Sequence, residues 1–136
     1  MNISLTFWQK VLIVLVCFAV AIGGFMIKLP SGFRHIDKEL HTAFYFLAAA
    51  FLNVLFAHTK ILRHVVIFIA LYLFGMAIEH AQQYSNRFFR RRIHGHFDPE
   101  DMQSNLNGLI AFSVLWFVCT IFILIYRKAS LKKQGI

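Results

Sequence analysis

LNGLIAFSVLWFVCTIFILIY, residues 106–126, contains no charged side chain and no proline. An α-helix needs roughly 20 apolar residues to cross the hydrocarbon core of a bilayer, so this stretch reads as a membrane span. Three further apolar runs, 11–27, 40–57 and 65–78, carry few or no charges. The run at 65–78 is short, and a full span there must draw in 61–64 at one end and Glu79 and His80 at the other. With 59% hydrophobic and 15% charged residues in 136, the chain holds more apolar surface than a soluble core of this size can hide.

Backbone amides in hydrocarbon must be paired within the structure, which leaves helices or a closed barrel. Continuous apolar runs without period-two alternation exclude the barrel. The fold expected is all-α: a single domain over 1–136, an integral-membrane bundle of four transmembrane helices with spans at about 8–28, 38–57, 61–80 and 104–126. The first run has the look of a secretory signal, with Lys10 before it and Ala19-Val20-Ala21 within it, but is read as a retained span. Cys17 and Cys119 both fall within spans and read as packing residues.

Four spans put the N-terminus, the 57–64 connection and the C-terminal tail on one face. The Lys and Arg residues divide evenly between faces: Lys10, Lys60, Arg63, Arg127, Lys128, Lys132 and Lys133 against Lys28, Arg34, Lys38, Arg87, Arg90, Arg91 and Arg92. The positive-inside rule is therefore silent. The acids are not evenly divided, because Asp37, Glu39, Glu79, Asp98, Glu100 and Asp101 all fall on the second face. The purely basic face, with the termini, is expected to be cytoplasmic, where anionic lipid attracts the tail. A net charge of +8 does not call for nucleic acid, since the cations flank spans on both faces and suit lipid head groups. Membrane lipid is the partner expected.

Three polar clusters mark the outward face. Asp37, His41 and Tyr45 recur every four residues and share one helical stripe, with Lys38 beside them. In a purely structural reading, Asp37 caps the helix and Tyr45 joins an interfacial aromatic belt. Glu79, Gln82 and Gln83 end the third helix, where a carboxylate at the membrane boundary costs energy unless it is paired or protonated. The bland alternative for Glu79 is an ion pair with a basic residue of the next loop. Asp98-Pro99-Glu100-Asp101 reads as N-cap, N1, N2 and N3 of the fourth helix, and Asp101, Asn105 and Gly108 continue its stripe into the bilayer. Gly108 invites close approach of another helix.

Residues 87–93, Arg-Phe-Phe-Arg-Arg-Arg-Ile, have the composition of a segment lying in the membrane interface. Arg87 and Arg90 are candidates for a fork that grips a phosphate or carboxylate. His94 and His96, with His41, His80 and nearby acids, lack any standard ligand spacing, so neither a metal nor another cofactor is expected. No nucleophile signature or glycine-rich phosphate loop occurs.

Asp37-Lys38…His41…Tyr45, Glu79-x-x-Gln82 and Asp98-x-x-Asp101-x-x-x-Asn105-x-x-Gly108, in this order at the ends of successive spans, resemble the VanZ-like family of small bacterial membrane proteins. The resemblance covers the middle half of the chain. The family usually carries an arginine close before the last motif, whereas this chain has His96 there and arginines at 87 and 90–92. The resemblance implies a cytoplasmic-membrane protein of about four helices, whose namesake is associated with resistance to the glycopeptide teicoplanin, and it implies no particular reaction.

The function expected is an outward-facing polar pocket for an anionic lipid or lipid-linked head group, such as a cell-wall precursor, or for a glycopeptide antibiotic. Its residues are Asp37, Lys38, His41, Tyr45, Glu79, Gln82, Arg87, Arg90, Asp98, Asp101, Asn105 and Gly108. Two alternatives remain: a membrane-embedded acid–base enzyme acting on a lipid-linked phosphate or sugar, and a purely structural hydrogen-bond network. A transporter fits less well, because only Asn53 and Gly75 interrupt the central membrane layer.

Overall fold

The computed structural model describes residues 5–26, 36–90 and 98–133. The 30–32 turn, Lys28 and Arg34, and the interfacial residues Arg91, Arg92, Ile93, His94 and His96 lie outside the described residues. Within the described residues the chain is all helical. Helix α1 runs Phe7–Met26, α2 Asp37–Leu52, α3 Ile61–Phe89 and α4 Pro99–Lys133. All four, with α2 prolonged by a π-helical turn at Asn53–Ala57, are long and apolar enough to cross a membrane. The protein is a four-helix membrane bundle.

Helices α3 and α4 outrun the spans expected from hydropathy. Helix α3 continues past residue 80 to Phe89, and α4 starts at Pro99 rather than near 104 and continues past 126. Hydropathy marks where hydrocarbon ends, whereas a helix ends where its backbone loses partners. No glycine or proline interrupts residues 81–90, so the ladder persists into the interface until Arg90 adopts a left-handed conformation with φ 48°.

The widened turn in α2 has a local cause. The Asn53 side-chain amide donates to the Ala49 carbonyl at 2.8 Å, competing with the backbone for that acceptor. The His58 N–H then reaches back five residues to Asn53 O at 2.9 Å, the signature of a π-turn. His58 leaves the helix at φ 52°, and its carbonyl accepts the Trp116 indole N–H at 2.9 Å.

The densest packing joins α2 and α4, which run parallel with their N-terminal ends at one end of the bundle. Tyr45, Ala48, Ala49 and Leu52 meet Leu109, Phe112 and Trp116, and α3 adds Leu71. Small residues bring the backbones together: a Cβ on Gly108 would lie 2.3 Å from Thr42 O, and the Thr42 hydroxyl donates to Ser104 O at 3.1 Å. Outward faces carry Leu47, Leu62, Val66, Phe122 and Ile125, all exposed. Such a surface suits lipid, where packing and polar contacts rather than apolar burial hold helices together.

Helix α1 lies at the margin and buries no residue. It is tied at both ends, by the Lys10 ammonium donating to Leu55 O at 3.0 Å and the Gln82 amide donating to Phe25 O at 2.8 Å. Between these ties, Phe18 meets Phe74 edge-on with ring centroids 4.9 Å apart.

Candidate functional site

The N-terminal ends of α2 and α4 meet the late part of α3 at one end of the bundle, and there they gather buried polar side chains. The four-residue spacing of Asp37, His41 and Tyr45 turns all three toward α4. His41 is buried, and its Nδ1 lies 2.8 Å from Asn105 Oδ1. An amide oxygen only accepts, so His41 Nδ1 donates the proton. Its Nε2 faces Asp37 Oδ1 at 3.9 Å, beyond hydrogen-bond reach.

One turn deeper, Tyr45 and Asn105 are each 1% exposed. Gly75 of α3 makes room for both: a Cβ there would sit 2.9 Å from Tyr45 Oη and 2.9 Å from Asn105 Nδ2. The glycine on the third helix thus sets the depth at which the polar groups of the other two meet.

Glu79, one turn past Gly75 on α3, is 1% exposed. Its Oε2 accepts the Asp98 backbone N–H at 3.2 Å, so α3 supplies the acceptor for the first amide of α4. Its Oε1 is buried and has no hydrogen-bond partner among the described residues. The carboxylate lies within electrostatic range of Asp101, His41 and Asp98. No basic side chain among the described residues pairs with it.

Other residues expected in the site fall into different roles. Asp98 caps α4: its Oδ1 accepts the Glu100 N–H at 2.9 Å, and its carbonyl accepts from Asp101 and Met102. Asp37 is not the cap of α2, because Ile36 holds that position without a side-chain bond. Lys38 forms an ion pair with Glu100 across the exposed rim. Gln82 is buried but turns its amide toward α1. Arg87 and Arg90 are exposed and pair with none of these acids among the described residues. Gly108 serves the contact between α2 and α4.

Asp37, His41 and Asp101 each offer one ligand atom, and these atoms lie within 4.8 Å of one another. This grouping differs from the one weighed from sequence, which centred on His94 and His96. On another face of α2, away from the Asp37, His41 and Tyr45 stripe, a groove of about 540 Å³ is lined by Lys38, Glu39, Thr42, Ala43, Phe46 and Leu47.

A second buried polar cluster, unforeseen from the sequence, lies at the opposite end. His64 Nδ1 is 2.8 Å from Asn53 Oδ1 and its Nε2 is 3.1 Å from Ser113 Oγ. The ring stacks on Trp116 at 4.2 Å with planes 6° apart. Both ring nitrogens are engaged, by partners from two other helical segments, so this cluster is a tie between helices. Asn53 was visible as a polar residue in mid-span, but nothing in sequence linked it to Ser113, whose partner His64 is 49 residues away.

Compared with protein-family models, with curated proteins and with solved structures, the chain gives no match.

Proposed function

We propose that the protein is a bacterial cell-envelope membrane protein of VanZ-like type whose polar site receives the head group of a membrane lipid or lipid-linked wall precursor. The acid-rich end of the bundle faces outward and the termini are cytoplasmic. In this reading the protein modulates susceptibility to glycopeptides of the teicoplanin type, by holding the precursor or the antibiotic itself.

The observation that carries the reading is Glu79 Oε1, a buried carboxylate oxygen without a protein partner among the described residues. Leaving such an atom unmatched costs roughly 1–3 kcal/mol or more, a cost a ligand's hydroxyl or ammonium removes. The groove on the outer face of α2 gives an acyl chain a seat on the same helix, with Lys38 at its rim. Retention of phosphatidylglycerol and of lipid-linked precursor by purified protein tests this. Glu79→Gln, which preserves shape, should reduce retention and shift glycopeptide sensitivity; unchanged values for both would refute the reading.

One observation favours a second reading, an acid–base enzyme on a lipid-linked phosphate or sugar. Asn105 accepts the Nδ1 proton of His41, so in the neutral ring Nε2 is the nitrogen left with a lone pair, as a general base requires. Turnover of such a substrate by purified protein, abolished in His41→Ala, would establish it, and its absence would dismiss it.

A further inference from the structure

The described part of the site gathers three carboxyl groups around one imidazole. Asp37, Asp101 and Glu79 surround His41, while the nearest described cation, Lys38, is engaged by Glu100 on the rim. Carboxyl groups gathered at a membrane boundary are held there either protonated or paired with a positive charge, and a bound cation supplies the second.

The arrangement of His41 specifies which kind. A histidine that binds a metal through one ring nitrogen almost always donates its other N–H to an acceptor that fixes the tautomer. Asn105 Oδ1 is such an acceptor at 2.8 Å. Nε2 lies 3.9 Å from Asp37 Oδ1, and one ligand atom each from Asp37, His41 and Asp101 lie within 4.8 Å of one another. Ligand atoms about 2.0–2.2 Å from a common tetrahedral ion lie roughly 3.4 Å apart, so the three side chains must draw together by about an ångström as an ion enters. Glu79, 1% exposed with Oε1 unpartnered among the described residues, adds a buried acceptor in electrostatic range of His41 and Asp101.

We propose that Asp37, His41 and Asp101 bind a divalent transition-metal ion, with Asn105 orienting the imidazole and Glu79 accepting a hydrogen bond from a water or hydroxyl on the ion. One imidazole with two carboxylates suits zinc or manganese better than magnesium or calcium, which prefer all-oxygen sets. Three protein ligands leave a coordination position open, and a phosphate oxygen can fill it. The inference rests on the head-group reading for the purpose of the ion, since it gives an acid-lined site a hold on an anionic head group.

The test uses full-length, tag-free protein in detergent, stripped with EDTA and titrated with Zn²⁺ or Mn²⁺ by calorimetry. One ion should bind per chain. His41→Ala and Asp101→Asn should abolish binding, and Asn105→Ala should weaken it roughly 10–100-fold. His58→Asn, an exposed histidine at the other end, should leave it unchanged. A wild-type protein that binds neither ion overturns the proposal, as does equal affinity in Asp101→Asn or equal loss in His58→Asn. Should the variants not fold, the visible spectrum of Co²⁺-loaded wild type decides: ligand-field bands support the site, and a spectrum of aqueous Co²⁺ rejects it. Phosphatidylglycerol retention by the same sample keeps the two readings apart. Metal bound without lipid leaves the ion and removes the head group; lipid retained without metal does the reverse.

Discussion

Glu79 of α3 accepts the backbone N–H of Asp98, the N-cap residue of α4, at 3.2 Å. In a capping box the N-cap amide is met by an acid three residues later in the same helix; here the acceptor comes from the neighbouring helix, and Asp101 at N3 is released to face His41. The same carboxylate therefore fastens two helices with one oxygen and leaves the other for the site.

Glu79→Gln and Glu79→Ala should separate these two duties. Glutamine retains an acceptor for Asp98, so unfolding in detergent should stay close to wild type while ligand retention falls. Alanine strands the amide and should cost about 1–3 kcal/mol. Equal loss of stability in both variants would mean that the charge, not the acceptor, holds α4.

Gly108→Ala should be the more damaging of two glycine substitutions. Its Cβ would meet the Thr42 carbonyl at 2.3 Å, a backbone atom that cannot step aside, and overpacking of this sort costs about 1–3 kcal/mol. At Gly75 the atoms in the way are Tyr45 Oη and Asn105 Nδ2, side-chain ends that can shift. Gly75→Ala should thus lose less stability but more ligand affinity, through displaced Asn105. Thermal unfolding and binding measured side by side check both orders.

His64→Phe should destabilise without touching the site. The substitution keeps an aromatic ring against Trp116 but removes the bonds to Asn53 and Ser113, for a loss of about 1–3 kcal/mol. Ligand retention and metal affinity should match wild type at temperatures where the variant is folded. A parallel loss of binding would show that the two ends of the bundle are coupled.

Asp98→Ala removes the side-chain bond to the Glu100 amide and should cost about 1 kcal/mol, the usual worth of an N-cap. Glu79 still meets the Asp98 N–H, so binding should be kept. A loss of binding with retained stability would move Asp98 from cap to ligand-contacting residue.

The sequence carried the helices and one end of the bundle further than the other. Runs such as 106–126 are written in composition alone, and the fourfold spacing of Asp37, His41 and Tyr45 foretells which side of α2 turns inward. The Asp98-Pro99 cap was equally legible, because N-cap chemistry is local. Helix ends in the interface were not, since hydropathy falls at residue 80 while hydrogen bonding in α3 continues to Phe89. Nor was the engagement of Lys38 by Glu100 or of His64 by Ser113, because partners 62 and 49 residues apart in sequence meet only once helices pack.

The site exists only if Asp37, Glu79 and Asp101 share one side of the membrane. Single cysteines placed at Lys38 and Glu100, and in separate chains at Lys60 and Lys128, in a Cys17→Ser, Cys119→Ser background, can be labelled in intact cells with a membrane-impermeant maleimide. Positions 38 and 100 should react from outside, and 60 and 128 only after the cells are opened. Labelling of 38 and 100 from opposite sides would contradict the bundle, and with it the site.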